Sequence, residues 1–216
     1  MEYAPIGVFA LLAGLIVDLA GDDPNNIITT LTPLLYYALT VIIGLTFMVF
    51  IFYPLIIYIK TGVTIKQFLK AIFPAQMLAF STSSSAATLP LTMKRVEKNL
   101  NVSDEVTSFV CPLGATINMD GTSIHQAISA VFIAQAFGQD LTLIDQLAIV
   151  LTATLSSIGA AAVPGAGLIM LVIVLGAIGI DPQGLALIIA IDRPLDMLRT
   201  VVNAVSYTHL TLPTKA

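Results

Sequence analysis

Long apolar stretches separated by short polar segments make up most of this chain, and this pattern is typical of membrane-spanning helices. A full span requires about 20 apolar residues. Spans are predicted over four segments: residues 4–18, 34–59, 106–137 and 184–205. Two further apolar segments, residues 66–98 and 144–180, contain polar or helix-breaking centres and are predicted to form helical hairpins. The predicted fold class is therefore an all-α integral membrane protein.

The composition supports this prediction and excludes several soluble classes. Hydrophobic residues account for 57% of the 216 positions and charged residues for only 10%, whereas soluble domains carry roughly 25% charged residues. A soluble enzyme, a nucleic-acid-binding protein and a disordered chain are thereby excluded, and the net charge of −4 offers no basic surface for phosphates. The single cysteine, Cys111, excludes a disulfide framework.

The basic residues mark one side of the membrane. Six of the nine Lys and Arg residues form two neighbouring clusters: Lys60, Lys66, Lys70, Lys94, Arg95 and Lys98. Cytoplasmic loops carry an excess of Lys and Arg, so both ends of residues 66–98 are predicted to be cytoplasmic. This segment must then enter and leave by the same face, as a re-entrant hairpin. A serine-rich tip is expected, with Thr88 as the N-cap and Pro90 in the first turn of the second arm.

Residues 146–180 pose the same problem from the opposite face. As one straight helix this uncharged segment would be roughly 52 Å long, which is too long for a bilayer core of about 30 Å and too short for two spans. It is predicted to break over residues 156–167, and the loops around Asp140 and Asp181 carry no Lys or Arg. Paired interrupted segments that enter from opposite faces are typical of inverted-repeat transporters. Two ordinary spans with helix-breaking residues are the alternative, but they leave the charge distribution unexplained.

Four polar residues share one face of the last predicted span. Asp196, Arg199, Thr200 and Asn203 follow the i, i+3, i+4, i+7 spacing of a helix face. Arg199 would lie roughly 21 Å into the span, and a charge at that depth is costly enough to indicate function. This face suits a zwitterion with an acidic side chain, because a carboxylate binds an ammonium group and a guanidinium binds a carboxylate. A purely structural Asp196–Arg199 pair is the alternative.

The preceding span is interrupted at residues 118–122, Asn-Met-Asp-Gly-Thr. An aspartate, an asparagine and backbone carbonyls freed by a glycine break would supply the oxygen ligands that a small cation requires, and no His or Cys cluster favours a transition metal. His125, just beyond this segment, is expected to be a packed polar residue rather than a proton relay. The second arm of each hairpin would direct free N–H groups towards the centre, which favours an anionic substrate group.

Four motifs occur in a fixed order: Ser-Thr-Ser-Ser-Ser-Ala-Ala-Thr-Leu-Pro (81–90), Asn-Met-Asp-Gly-Thr (118–122), Val-Pro-Gly-Ala-Gly (163–167) and Asp-Met-Leu-Arg-Thr-Val-Val-Asn (196–203). From Tyr3 to about Val205 the chain closely resembles the dicarboxylate/amino acid:cation symporter family, which includes excitatory amino-acid transporters and sodium–aspartate symporters. The resemblance implies the family's fifth to eighth spans and both hairpins, without its first four spans. Residues 1–26 would belong to the scaffold and residues 27–205 to the transport domain.

The resemblance also implies roles for individual residues. Substrate contacts are implied at Ser84, Ser85, Thr122, Val163, Gly167, Asp196, Arg199, Thr200 and Asn203. Sodium positions are implied at Gly114, Asn118, Asp120 and Asn203, and at a second set built from backbone carbonyls, Thr116, Ser157, Ile158 and Ala160. Arg199 would face the side-chain carboxylate of the substrate and Asp196 its ammonium group. Family members with other substrates lack one or the other residue, so the two together favour aspartate or glutamate.

The chain departs from the family pattern after Asn203. The family continues there with a Gly-Asp pair whose aspartate completes a sodium site, whereas this chain has Ser206 and Tyr207. Residues 206–216 are polar and show no apolar periodicity, so they are predicted to be a non-native tail. With the absent spans, this makes the chain a predicted fragment.

The predicted function is that of part of a secondary transporter that couples the uptake of acidic amino acids to sodium entry. Sodium is the only cofactor expected, the lipid bilayer is the surrounding partner, and no nucleic acid is expected. The full-length parent is expected to be a homotrimer with a multi-pass position in the plasma membrane. Three alternatives stay open: proton coupling, a truncated membrane fragment without its own activity, and an anion channel. An enzyme is not expected, because no nucleophile–base pair or closed metal site occurs.

Overall fold

The computed structural model describes residues 25–211 together with Gly14 and Val17, and no strand occurs among them. The helices, in chain order, are α1 (Asn25–Phe47), a π-helical segment (Met48–Phe52), α2 (Tyr53–Thr61), α3 (Ile65–Thr82), α4 (Ser85–Leu100), α5 (Asp104–Ile117), α6 (Asp120–Ala136), α7 (Leu143–Ile158), α8 (Ala166–Ala177), a 3₁₀ helix (Pro182–Leu187), α9 (Ile189–Ser206) and α10 (Thr208–Thr211). The all-α class is confirmed. Apart from Gly14 and Val17, the predicted span over residues 4–18 lies outside the described part of the chain.

The first described helix runs from α1 through the π-helical segment into α2. Its stretch Leu31–Thr61, of 31 residues and mean hydropathy 2.5, is the one described helix long and apolar enough to cross a membrane. The span predicted over residues 34–59 is therefore present and longer at both ends. A π-helical turn lies just before Pro54 in this helix, because proline lacks the N–H that would bond the preceding turn.

The α3–α4 pair forms the first predicted hairpin, but its tip differs from the prediction. Ser83 adopts a left-handed conformation with φ of 51°, and the Ser84 hydroxyl accepts a hydrogen bond from the Ala87 N–H at 3.2 Å. The N-cap of α4 is therefore Ser84, and the prediction of Thr88 was wrong. Thr88 instead donates its hydroxyl to the Ser84 carbonyl at 2.8 Å. Pro90 consequently lies inside α4 rather than in its first turn.

The span predicted over residues 106–137 is divided into α5 and α6, as expected, but the interruption is shorter. Only Asn118 and Met119 lie outside helical geometry, so Asp120 already begins α6. Gly121 is a helical residue, and the prediction of a glycine break was wrong. A Cβ at this position would lie only 2.5 Å from the Arg199 carbonyl oxygen, so the glycine instead permits the close approach of α6 to α9.

The α7–α8 pair forms the second predicted hairpin. The Thr142 hydroxyl accepts from the Asp145 N–H and the Asp145 carboxylate accepts from the Thr142 N–H, a capping box that begins α7. Gly165 adopts a φ of +77° that favours glycine, and α8 begins immediately after it. The second arm thus begins inside residues 156–167, where the sequence predicts the break, and the chain turns at Gly165.

The last predicted span, residues 184–205, begins later and ends slightly later than expected. Residues Pro182–Leu187 form a tighter 3₁₀ helix, whose start is capped by the Asp181 carboxylate accepting from the Gln183 N–H at 2.8 Å. In the predicted tail, Ser206 completes α9, Tyr207 is fully buried, and Thr208–Thr211 form α10. The non-native origin of residues 206–216 stays a prediction, and residues 212–216 lie outside the described part.

Helix α9 lies at the centre of the structure and packs against α1, α3, α4, α6 and α8. Large apolar side chains cover the outside instead: Leu147 and Leu151 of α7 are both 61% exposed, and Ile169 of α8 is 73% exposed. Water-soluble proteins rarely expose such extended apolar surface. A polar helix inside an apolar exterior is the arrangement expected in a membrane.

Candidate functional site

The four polar residues of α9 are all buried, with exposures between 1% and 4%. They border a cavity of about 10 Å³, room for about one water molecule. The other lining residues come from both hairpin tips and from the start of α6: Ser83, Ser85, Met119, Thr122, Ala160, Ala161, Ala162, Val163, Ala166 and Gly167. The structure therefore brings together every predicted substrate residue except Ser84, which does not line the cavity.

Asp196 and Arg199 form a buried ion pair at this cavity. One Asp196 oxygen, Oδ1, accepts from the Arg199 guanidinium, and the other, Oδ2, accepts from the Gly165 N–H at 2.9 Å. Arg193 adds a longer contact, 3.4 Å from its Nη1 to Oδ2. Two unpaired buried charges would be strongly destabilising, and here the two side chains neutralise each other.

The two hairpin tips meet directly above this pair. The Ser84 hydroxyl donates to the Ala162 carbonyl at 2.9 Å, and the Ala86 N–H donates to the same oxygen at 3.2 Å. This explains the absence of Ser84 from the cavity, because its side chain caps α4 and reaches across to the other tip. The N-terminal ends of α4 and α8 both adjoin the cavity, and their partial positive charge favours an anionic group there.

Thr122 and Asn203 connect α6 to α9 by two hydrogen bonds. The Asn203 Nδ2 donates to the Thr122 hydroxyl at 3.0 Å, and the Thr122 N–H donates to Asn203 Oδ1 at 3.3 Å. The absent side chain of Gly121 allows the two helices to come this close. Thr200, the remaining predicted contact on α9, donates its hydroxyl to the Asp196 carbonyl at 2.8 Å.

The first set of predicted sodium residues is occupied by protein contacts. Gly114 packs so tightly against Tyr207 that a Cβ would collide with the tyrosine side chain. The Asn118 carbonyl accepts from the Ser206 hydroxyl at 2.8 Å, and the Asp120 carboxylate accepts from the Tyr53 hydroxyl. The two residues that depart from the family pattern, Ser206 and Tyr207, therefore lie where the resemblance implies a cation.

The second set of predicted sodium residues is only partly gathered. Thr116 is exposed, and its hydroxyl donates to the Leu113 carbonyl of its own helix at 2.8 Å. The Ser157 hydroxyl is buried and accepts from Ser123 at 2.7 Å. Ile158 is exposed, while Ala160 lines the cavity.

Sequence reasoning missed three residues that adjoin the site. Ser83 is buried at the cavity with a hydroxyl that makes no hydrogen bond within the described structure. Gln126 is buried and donates to the Gly167 carbonyl at 3.0 Å, which ties α6 to the second tip. Asp192 is buried one helical turn before Asp196. The position of Asp192 four residues before Asp196 places it on the same helix face, which the sequence alone indicates. Ser83 and Gln126 could be found only from the tertiary structure.

The described part of the chain has no strand and has an apolar exterior, and its buried charges lie where interrupted helices meet. This is the organisation of a membrane transport protein. The chain belongs to the sodium:dicarboxylate symporter family, whose sequence model matches residues 1–214. The resemblance seen in the four motifs is thereby confirmed.

Individual relatives in this family are transporters of excitatory amino acids. The chain is 42% identical over 203 residues to an excitatory amino acid transporter of Caenorhabditis elegans, covering 94% of this chain and 39% of the relative. It is 42% identical over 205 residues to excitatory amino acid transporter 2 of Homo sapiens (95% and 35%). It is 45% identical over 203 residues to excitatory amino acid transporter 1 of Ambystoma tigrinum (94% and 36%). The chain thus spans between about a third and two fifths of their length.

Proposed function

We propose that this chain forms part of a secondary transporter that couples the uptake of aspartate or glutamate to sodium entry. The buried Asp196–Arg199 pair, enclosed between the two hairpin tips, carries this proposal. It offers one group of each sign at a protected position, which is what a zwitterionic acid requires. Family membership and the names of the relatives support the same substrate class.

Binding exchanges the internal ion pair for contacts with the substrate. The side-chain carboxylate of the substrate binds the Arg199 guanidinium, and its ammonium group binds the Asp196 carboxylate. Each protein charge therefore keeps a partner of opposite charge. Ser85 and the N–H groups at the first tip receive the main-chain carboxylate. The present cavity of about 10 Å³ is far too small for an amino acid. The tips must therefore separate, and the bonds between Ser84 and Ala162 are the ones that break.

We further propose sodium binding at the two sets of oxygen-bearing residues that the resemblance implies. The proposed positions are Gly114, Thr116, Asn118, Asp120, Ser157, Ile158, Ala160 and Asn203. Carbonyl, amide and carboxylate oxygens are the donors that hard cations prefer. For the first set, Ser206 and Tyr207 must move away before a cation enters, because their contacts with Gly114 and Asn118 use that space.

The membrane arrangement is proposed on the same grounds. The α3–α4 and α7–α8 pairs are re-entrant hairpins that enter from the cytoplasmic and outer faces, respectively, and form an inverted repeat. The meeting of their tips at Ala162 supports this arrangement, since two hairpins that enter from opposite faces converge at mid-membrane. The full-length parent is a homotrimer in the plasma membrane.

Uptake of labelled aspartate tests the proposed function. The assay uses a full-length chimaera in which residues 1–205 of this chain replace the matching segment of the human relative, reconstituted into proteoliposomes. We expect accumulation driven by a sodium gradient and none with choline. Uptake that is independent of sodium but rises as the pH falls would instead indicate proton coupling. Current without accumulation would indicate a channel. If neither accumulation nor current is observed, the proposed transport function is wrong.

Single-cysteine labelling tests the re-entrant hairpins. Cysteines at Thr64 and Asn99 are expected to react with an impermeant maleimide only from the cytoplasm, and those at Asp140 and Asp181 only from outside. All four positions are exposed, so the bilayer alone decides their access. The native Cys111 is buried and is replaced by serine as the background. Labelling of Thr64 and Asn99 from opposite faces would show that α3 and α4 together cross the membrane.

A further inference from the structure

His125 is fully buried and adjoins the buried guanidinium of Arg199. Its Nδ1 atom is 3.4 Å from Arg199 Nη1. Its Nε2 atom is 3.1 Å from the Tyr37 hydroxyl of α1 and 3.4 Å from Asp192 Oδ1 of α9. This histidine therefore joins three helices, α1, α6 and α9, at the arginine of the proposed site.

The chemistry of the neighbours selects one protonation state for His125. A guanidinium donates hydrogen bonds and never accepts them, so Nδ1 must present its lone pair to Arg199. The proton of the neutral ring then lies on Nε2, where the Tyr37 oxygen accepts it and Asp192 Oδ1 lies 3.4 Å away. A proton on Nδ1 would face an N–H of Arg199 and would place two positive charges at the same contact. The ring is therefore neutral and carries its hydrogen on Nε2.

The hydrogen bonds of Tyr37 and Ser129 are compatible with a proton on His125 Nε2. Since the Tyr37 oxygen accepts from His125, its own hydrogen is free to be donated to Ser129, 2.8 Å away. Ser129 in turn donates to the His125 carbonyl at 2.7 Å, and the Tyr37 ring stacks on Phe132 with centroids 4.8 Å apart. These hydrogen bonds on both sides of the Tyr37 hydroxyl hold the imidazole in a single orientation.

The charged and titratable groups that face His125 come from α1 and α9. Among the described residues, the titratable and charged groups that face it are Tyr37 from α1 and Asp192 and Arg199 from α9. Helices α7 and α8 also pack against α6, but they present serine hydroxyls and the Gly167 carbonyl to it. The orientation of Arg199 thus depends on His125 on one side and on Asp196 on the other.

We infer that His125 is a positioning residue that holds Arg199 ready for an acidic side chain. When the substrate binds and its ammonium group pairs with the Asp196 carboxylate, the Arg199 guanidinium loses Asp196 as its partner. The Nδ1 acceptor of His125 then remains as the protein contact that keeps the guanidinium directed at the cavity. This inference rests on the proposed function. It predicts that His125 affects the recognition of the substrate side-chain carboxylate but not that of the main-chain groups.

Three substitutions in the full-length chimaera separate this role from simple packing. In His125→Asn, the side-chain oxygen reaches the former Nδ1 position and still accepts from Arg199. In His125→Gln, the longer amide reaches the former Nε2 position, so contacts with Tyr37 and Asp192 persist while the arginine loses its acceptor. His125→Leu has nearly the shape of the asparagine variant and provides no acceptor at all.

Inhibition constants for aspartate and for asparagine, which lacks the side-chain carboxylate, provide the readout. We expect aspartate to bind at least about tenfold more weakly in the Gln and Leu variants, the effect of losing one hydrogen bond to a charged group. Asparagine binding should stay within about threefold of the unmutated chimaera, and His125→Asn should restore aspartate binding. If the Leu variant does not reach the membrane, the comparison of Asn with Gln carries the same information.

The outcomes are distinguishable from a failure of the proposed function. If the unmutated chimaera does not bind or accumulate aspartate, the proposed function itself is wrong. If the unmutated chimaera transports aspartate, the His125→Gln variant decides. Equal weakening of aspartate and asparagine binding, or no weakening of either, would overturn the positioning role of His125.

Discussion

Replacing Arg199 with cysteine is expected to weaken aspartate binding by roughly 2–5 kcal/mol, the range for removing one partner of a buried charge pair. The guanidinium is almost completely buried, and its contacts are Asp196 and His125. In the variant, the side-chain carboxylate of the substrate would enter a low-dielectric cavity with no cation to receive it. Small neutral amino acids do not require that cation and should retain affinity.

Arg193→Cys is the matched control for this prediction. Arg193 lies on the same helix and also contacts Asp196, but its side chain is 34% exposed and the contact is 3.4 Å long. Partly solvated ion pairs contribute only about 0–1 kcal/mol, so this change should alter aspartate binding several-fold at most. Inhibition constants for aspartate and serine in both variants of the chimaera provide the measurement. Unchanged aspartate affinity in Arg199→Cys would make the Asp196–Arg199 pair structural.

Gly121→Ala is expected to destabilise the fold around the site. The added Cβ would lie 2.5 Å from the Arg199 carbonyl oxygen and 2.9 Å from the Val202 Cβ. A backbone carbonyl inside a helix cannot rotate away, so α6 and α9 must separate. Overpacking of this kind costs roughly 1–3 kcal/mol or more. The two hydrogen bonds between Thr122 and Asn203 would lengthen at the same time.

Gly176→Ala provides the comparison, because Gly176 is also a helical glycine and a Cβ there would meet nothing within 4 Å. We expect the apparent Tm of the purified chimaera to fall in Gly121→Ala, with weaker aspartate binding, and to stay the same or rise slightly in Gly176→Ala. Equal Tm values for the two variants would show that α6 and α9 are less closely packed than the structure indicates.

The existence of the helices and the identity of the polar face were predictable from the sequence. Hydropathy is a sum over neighbouring residues, so it predicts apolar helices without any tertiary contact. The spacing of Asp196, Arg199, Thr200 and Asn203 is likewise local, because any helix places these residues on one face. Charge distribution and motifs added the hairpins and the family, and family membership is confirmed.

Helix ends were less predictable, because several residues compete for the same role. At the first tip, Ser84 and Thr88 both have a hydroxyl suited to capping, and only the folded chain shows that Ser84 is used. At the second tip, Pro164 and Gly165 are both adequate signals for a turn. The free energies of such alternative helix ends differ by less than that of one hydrogen bond, so tertiary packing decides between them.

Pairings between distant segments depended on tertiary structure alone. The sequence marks Gly121 as unusual, but whether a glycine breaks a helix or admits a neighbouring backbone depends on what lies beside it. The contact of Gly165 with Asp196, of Ser84 with Ala162, and of His125 with Arg199 each joins different helices. Periodicity and composition describe how each helix is built and which face is polar. The partners of that face are set by how the helices pack, since hydrogen bonds between them form only at distances that the whole fold determines.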